Sequence, residues 1–313
     1  MSSFYIRRSK IGEGAYAVIY KSEEYEGESD SKIVKETILP MKRVVAIKKI
    51  KNRTAGIDGS AIREIKALRA INDKYVIRIH DVFFHNDSLN IVLEHVRCSL
   101  ESIIKNKNII FMPSDIKAWM YMIVRGVFAM HKKFFIHRDI KPSNILIDSQ
   151  GVIKIADLGL ARSIGLDHFT PTVATRWYRS PELLFGSNLY GFCVDIWSIG
   201  CIFAELFLRV PYLPGNDDIN QLDTIFRALG TPTEKEWPQM KMLPDYIELP
   251  NYPKTPLNAL FTGASKDALD LMGKMFIYNP PMRITTKNIL QHEYFKNSPK
   301  PTRRSDIFDG IKE

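Results

Sequence analysis

Cysteine is scarce: the 313 residues hold only Cys98, Cys193 and Cys201, an odd number with none of the paired spacings of a zinc site or a disulfide framework. A reducing, intracellular compartment is the expectation that follows. The 7 histidines are scattered, without a His-Glu-x-x-His run or a Cys/His cluster, so no resident zinc is expected and any metal must arrive with a ligand. Long apolar runs are missing too. The greasiest stretch, Ile196 to Leu208, is broken by Glu205 and too short to span a bilayer, and Met1 to Lys10 is polar and basic without an apolar centre. Neither secretion nor membrane insertion is expected. Repeats and low-complexity tracts are absent, and 45% hydrophobic with 25% charged residues is ordinary globular composition. One two-lobed domain, or two closely apposed ones, fits the length. The net charge of +9 raises the question of nucleic acid, but the lysines and arginines are spread along the chain rather than gathered in one arm. Direct nucleic-acid binding is therefore not expected; a basic surface meeting phosphate and acidic partners is.

The texture changes along the chain. Val44 to Ile50, Ile77 to Phe84 and Leu89 to Leu93 are rich in Val, Ile, Leu and Phe between polar turns, and read as strands. One helix interrupts them at Gly59 to Leu68, where Ile62, Ile65 and Leu68 share a face while Arg63, Glu64 and Lys66 project elsewhere. Beyond Ser99 the pattern turns helical. Pro113-Ser114-Asp115 is a helix start, and Ile116, Trp119, Met120, Ile123, Val127 and Met130 follow at helical spacing. Val194 to Leu208 is apolar almost all round, which in a globular protein means a buried helix. A small β-rich half thus precedes a larger α-rich half, with the junction near Glu94 to Ser99.

Three polar motifs fit phosphoryl transfer, which needs a phosphate cradle, cations against developing charge and a group that orients the attacking hydroxyl. The first is Ile11-Gly12-Glu13-Gly14-Ala15-Tyr16-Ala17-Val18 followed by Val45-Ala46-Ile47-Lys48. Glycines let backbone N–H groups approach phosphate oxygens. The strand-like Val18-Ile19-Tyr20 argues against a Rossmann turn, which would continue as a helix. Lys48, with the glycine loop before it and Glu64 on a helix after it, fits an ion pair that holds phosphates. The second motif is His137-Arg138-Asp139-Ile140-Lys141-Pro142-Ser143-Asn144. Asp139 would accept the hydroxyl proton, Lys141 would offset γ-phosphate charge and Asn144 would hold magnesium. The third, Ala156-Asp157-Leu158-Gly159, supplies Asp157 as the second metal ligand. Two oxygens from different loops plus phosphate oxygens suit Mg²⁺.

Together with Ser180-Pro181-Glu182, Asp195-Ile196-Trp197-Ser198-Ile199-Gly200 and Arg283, these motifs resemble the protein kinase superfamily over about residues 5 to 295. The resemblance implies an α+β, two-lobed fold: an N-lobe over 1–95, a C-lobe over 96–300 and a short tail over 301–313. It implies ATP as phosphoryl donor, with Leu93, Glu94 and Val96 as the adenine hinge and Ser99 near the ribose. It also implies Thr175 among the catalytic residues, a buried Glu182–Arg283 pair, and Asp195 as a brace for the catalytic loop. Ser60-Ala61-Ile62-Arg63-Glu64 and Thr175-Arg176-Trp177-Tyr178-Arg179 resemble the cyclin-dependent kinases, and Leu208 to Gly215 with Leu229 to Thr233 resembles their kinase-activating branch.

That branch implies a cyclin H-like partner, an assembly factor of the transcription factor H kinase module, a nuclear location, and RNA polymerase II repeats and other kinases' activation loops as substrates. Thr170 stands at the family's activating phosphosite, with Arg63, Arg138 and Arg162 as the receiving arginines. Arg179 matches the residue that, near Val173, leaves no partner for an N–H after the acceptor, so Ser-Pro or Thr-Pro is the expected target. Leu158 departs from the usual phenylalanine, Ala15 lacks a hydroxyl that relatives phosphorylate, and the acidic Glu23, Glu24, Glu26, Glu28 and Asp30 read as a solvated loop. A cell-cycle or mitogen-activated relative is one alternative. An inactive scaffold is another, opposed by the presence of Lys48, Glu64, Asp139, Asn144 and Asp157 together.

Overall fold

The computed structural model of the chain describes residues 3–27, 41–51, 59–163 and 176–302. Its first part is an antiparallel sheet of β1 (Ser3–Glu13), β2 (Ala17–Glu26), β3 (Met41–Ile50), β4 (Ile79–His85) and β5 (Ser88–Glu94), with helix α1 (Gly59–Ala70) between β3 and β4. The strand order β1-β2-β3-β5-β4 puts β3 in the middle. The period-two alternation of β3 then sorts its side chains. Val45 and Ile47 pack with Val92, Tyr5 and Phe83 on one face, while Ala46 and Lys48 look to the other.

Two expectations change here. The acidic segment is partly strand, not loop: β2 runs through Glu23, Glu24 and Glu26, which pair across the sheet with basic residues. Arg8 meets Glu23 at 2.6 Å, Lys42 meets Glu26 at 2.6 Å, and the buried Glu24 takes Arg43 and Ser3. Opposite charges on neighbouring strands favour pairing, which compositional reading of one strand cannot see. Glu28 and Asp30 lie outside the described residues. The buried face of α1 is also rotated from expectation: Ala61, Glu64, Ala67 and Leu68 point inward and Ile62 is 39% exposed. Lys48 supplies the reason, since it draws the Glu64 carboxylate into the interior.

The second part is helical. It starts with β6 (Cys98–Ser99), α2 (Leu100–Lys105), α3 (Pro113–Lys132), β7 (Phe135–Ile136), β8 (Ile145–Ile147), β9 (Ile153–Ile155) and β10 (Arg162–Ser163). It continues with α4 (Pro181–Leu184), α5 (Cys193–Leu208), α6 (Asp218–Leu229), α7 (Lys266–Met275), α8 (Thr286–Leu290) and α9 (Glu293–Lys296). Pro113 opens α3, whose Asp115 carboxylate accepts the Met112 N–H at 2.7 Å. All six apolar residues read at helical spacing in α3 are buried. In α5, every residue from Val194 to Leu206 is buried, as an all-round apolar helix requires.

One glycine couples this core to the polar motifs. A side chain at Gly126 of α3 would start 2.8 Å from the Tyr75 carbonyl and 2.7 Å from Ile155, so β9 can lie tight on α3 only because the position is glycine. Asp157 follows β9 by two residues. No helix among the described residues is long and apolar enough to cross a membrane.

Candidate active site

The three motifs converge in the cleft between sheet and helices. Lys48 Nζ lies 2.8 Å from both Glu64 carboxylate oxygens and 2.9 Å from Asp157 Oδ1. Burial works against the Lys48 charge, but the two carboxylates outweigh it and hold its pKa above the ordinary lysine value. At Asp157 burial likewise opposes the charge, and Lys48 overrides it and keeps the carboxyl below the usual range. Glu64 is more deeply enclosed, and burial pushes its pKa up against the pull of Lys48.

The catalytic loop is tied to α5. Asp195 is fully buried and accepts the His137 and Arg138 N–H groups at 2.9 Å each, as well as a 2.9 Å bond with His131 Nε2. These bonds hold Arg138 at φ 71°, a left-handed conformation that a non-glycine residue adopts only when its surroundings impose it. Asp157 is left-handed as well, at φ 60°. Asp139 Oδ2 accepts from Lys141 Nζ at 2.8 Å and from Asn144 Nδ2 at 2.9 Å. Asn144 Nδ2 also donates to the Asp139 carbonyl at 2.9 Å, which leaves the amide oxygen of Asn144 as its remaining ligating atom. His137 Nε2 at 3.0 Å from the Ala156 carbonyl, and the Ala156 N–H on the Asn144 carbonyl at 2.9 Å, join this loop to the Asp157 segment.

A cavity of about 530 Å³ fills the cleft. Of the residues expected around a nucleotide, Ile11, Gly14, Ala15, Tyr16, Ala17, Ala46, Lys48, Glu64, Leu93, Glu94, Val96 and Ser99 line it, together with Asn144 and Asp157. Gly12, Glu13 and Val18 do not. Glu13 turns out to Lys10 and to Lys51 (2.5 Å), and those two lysines hold its carboxyl down at about 2. Val18 lies one residue out of phase: β2 begins at Ala17, so Ala17 and Ile19 share the cleft face and Ile19 lines the cavity in its place.

Ile77, Cys98, Leu146 and Ala156 also line it and escaped the sequence reading. Leu146 was recoverable, because in Ile145-Leu146-Ile147 the outer pair is fully buried and period two puts Leu146 on the opposite face. At the hinge, Glu94 is spoken for: its carboxylate accepts the Arg78 N–H at 2.7 Å and Lys154 at 3.0 Å, and its own N–H donates to the Arg78 carbonyl at 2.9 Å. Ser99 caps α2, accepting the Ser102 N–H at 3.2 Å.

Arg63, Arg138 and Arg162 come from α1, the catalytic loop and β10, and they act on one another. Burial pulls the Arg138 pKa down, and the charges of Arg162 and Arg63 pull it further. Arg63 Nε is buried without a hydrogen-bond partner among the described residues. Charges from three separate elements thus meet in one region. Thr170 and Thr175 lie outside the described residues. Away from the cleft, Arg283 and Glu182 meet at 2.7 and 3.0 Å, both deeply buried. Leu158 is fully buried, and its turn packs against α1. A larger cavity of about 730 Å³ lies between α3, α5 and the segment 279–286, and none of the nucleotide-site residues line it.

The chain belongs to the protein kinase family, whose protein kinase domain matches residues 5–295. It is 53% identical to the "Probable serine/threonine-protein kinase KIN28 homolog" of Encephalitozoon cuniculi, over 95% of this chain and 97% of that one. Identity is 45% with the serine/threonine-protein kinase KIN28 of Saccharomyces cerevisiae, over 97% of both chains. With cyclin-dependent kinase 7 of Xenopus laevis it is 43%, over 93% of this chain and 81% of that one. Among solved structures, a chain of the CAK complex from Chaetomium thermophilum bound to ATP-gamma-S superposes with a TM-score of 0.85 at 40% identity, covering 96% of this chain and 94% of that one. The protein is accordingly an ATP-dependent serine/threonine kinase of the cyclin-dependent group.

Proposed function

We propose that the cleft transfers the γ-phosphoryl of ATP to serine or threonine followed by proline, in a nuclear kinase that works with an H-type cyclin and an assembly factor. RNA polymerase II C-terminal repeats and the activation loops of other cyclin-dependent kinases are the proposed substrates. The observation that carries the reading is Lys48 held between Glu64 and Asp157, beside an Asp139 whose Oδ2 is already fixed by Lys141 and Asn144.

Each group has one task in this reading. Lys48 positions the α and β phosphates. Asp139, with Oδ2 occupied, offers Oδ1 to the substrate hydroxyl and takes its proton. Lys141 faces the γ-phosphate, and Thr175 supports the loop. The donor set fits magnesium: an amide oxygen from Asn144 and a carboxylate from Asp157 are hard ligands, too few to hold an ion without phosphate oxygens. Among the described residues, no cluster of three or more His, Cys, Asp or Glu could hold a metal. When bound, the metal would neutralise charge between the phosphates. Phosphate on Thr170 would be received by Arg63, Arg138 and Arg162, drawing α1, the catalytic loop and the activation segment together. The lobe boundary at 95/96 and the tail from 301 belong to the same proposal.

The test is the purified kinase with its cyclin on a heptad-repeat peptide. Phosphate incorporation should require Mg²⁺, and Asp139→Asn should lower it by roughly 10²- to 10⁴-fold with the fold intact. Substantial turnover by Asp139→Asn would refute the assignment.

A further inference from the structure

One cation on the strand that leads to Asp157 reaches across to the hinge. In β9, Ile153 and Ile155 are fully buried, and the period of two turns Lys154 to the other face. Its partner across the ladder is Leu146 of β8, which lines the nucleotide cavity. Residues paired across neighbouring strands share a face, so Lys154 leaves the sheet on the side of the cleft. There its Nζ lies 3.0 Å from Glu94 Oε2, in a pair whose side chains are only 12% and 22% exposed.

Glu94 is also bonded on its other side. Its Oε1 accepts the Arg78 N–H at 2.7 Å, and its own N–H donates to the Arg78 carbonyl at 2.9 Å. The segment before Arg78 is tied in turn to β9: the Ile77 N–H donates to the Ile155 carbonyl and the Ile155 N–H to the Tyr75 carbonyl, both at 2.8 Å. Segment 75–78, the hinge and β9 thus close a ring, and Lys154 with Glu94 is the charged link in it. The ring joins two ends of the cavity. Glu94 lies where adenine is expected, and Asp157, the proposed metal ligand, follows Lys154 by three residues. Without the ammonium, Oε2 would carry charge in a mostly covered place and the carboxylate would turn toward water. That turn takes Oε1 off the Arg78 N–H and loosens the hinge from both neighbours.

We propose that Lys154 is a positioning residue for the nucleotide: through Glu94 it fixes the hinge relative to the strand that carries Asp157, so that the adenine and phosphate ends of ATP are met at a set spacing. The inference rests on the reading of this cleft as the ATP site. None of the three polar motifs contains Lys154.

The test measures the KM for ATP, kcat on the heptad-repeat peptide and the Kd for ADP, with the kinase in complex with its cyclin. Lys154→Met should raise the KM for ATP and the Kd for ADP by about fivefold or more, and leave kcat and the peptide KM within about twofold. Lys154→Arg, which keeps the charge, should restore most of the affinity. Glu94→Gln keeps an acceptor for the Arg78 N–H but loses the ion pair, and should show the same split; it carries the test where Lys154→Met does not fold. The double variant should bind ADP no more than about twofold worse than Lys154→Met alone, because both changes break one link. A purely architectural lysine would lower the Tm and leave the nucleotide constants of the folded enzyme alone. Nucleotide constants within about twofold of wild type in both folded single variants therefore overturn the proposal. Ala46→Leu, which adds bulk inside the cavity beside the hinge, should weaken ADP by about tenfold or more. Wild-type ADP binding by Ala46→Leu would instead overturn the reading of the cleft as the ATP site.

Discussion

Lys48 and Asp157 are 109 positions apart in the chain, and their charged atoms stand 2.9 Å apart across the cleft. Lys48 is held there by Glu64 as well, so one ammonium links β3, α1 and the segment after β9. Lys48→Met keeps most of the side-chain volume and removes the link. Phosphate incorporation should then fall on the order of 100-fold or more. The fold should persist, with the buried Glu64 carboxyl taking a proton in place of its lost partner. A variant within threefold of wild type would show that the lysine has no part in transfer.

Arg283 uses all of its N–H donors. They reach both Glu182 oxygens and the carbonyls of Ile277, Cys193 and Tyr278, between 2.7 and 3.1 Å, while the guanidinium lies over the Trp197 ring. Truncating one partner strands the other charge in a buried site. Glu182→Ala should cost roughly 3 to 5 kcal/mol in urea unfolding. Arg283→Lys should cost nearly as much, since a lysine cannot reproduce the planar fork. A loss under about 1 kcal/mol in both would contradict this account.

His80 gives stability a pH dependence. Burial, together with Arg43 and Arg78, lowers its pKa in the folded state to about 4, against an ordinary 6.5. Below 6.5 the unfolded chain takes up a proton that the folded one refuses. The contribution is therefore complete above about pH 6.5, declines as pH falls, and is exhausted near 4. His80→Gln should flatten the change in Tm across that window relative to wild type, and the His80 ring resonances of the native protein should titrate near 4. A titration near 6.5 would remove the basis of the prediction.

Ile62 is an exposed branched apolar side chain on α1, on the helix that carries Glu64. Exposed apolar area beside a conformationally sensitive helix is where a partner can act on the ion pair. Ile62→Asp should weaken cyclin binding at least tenfold and leave the Tm of the free kinase nearly unchanged, as expected for a surface position. Isothermal titration against the cyclin, beside a melting curve, separates the two effects.

Much of this was legible in the residues. Runs of Val, Ile, Leu and Phe between polar turns predicted strands where β3, β4 and β5 run, helical spacing predicted α3, and the all-apolar run predicted a buried α5. The errors share one cause. Val18 stood in for Ile19, the buried face of α1 was placed on Ile62 instead of Glu64, and the acidic run was read as loop. Each was judged from one segment alone, and in each the deciding partner lay elsewhere: the sheet face, Lys48, and the basic residues of β1 and β3.

Local chemistry was written into the chain: glycines where a loop must approach phosphate, a proline to open a helix, and polar clusters flanked by apolar strands. Those features act through nearest neighbours, so spacing alone displays them. What folding decided was which distant charges share one low-dielectric space. That Lys48 answers to two carboxylates, that Arg283 uses every donor, and that Asp195 of α5 holds the catalytic loop are consequences of packing. Electrostatic strength depends on separation and burial, and neither is encoded at any single position.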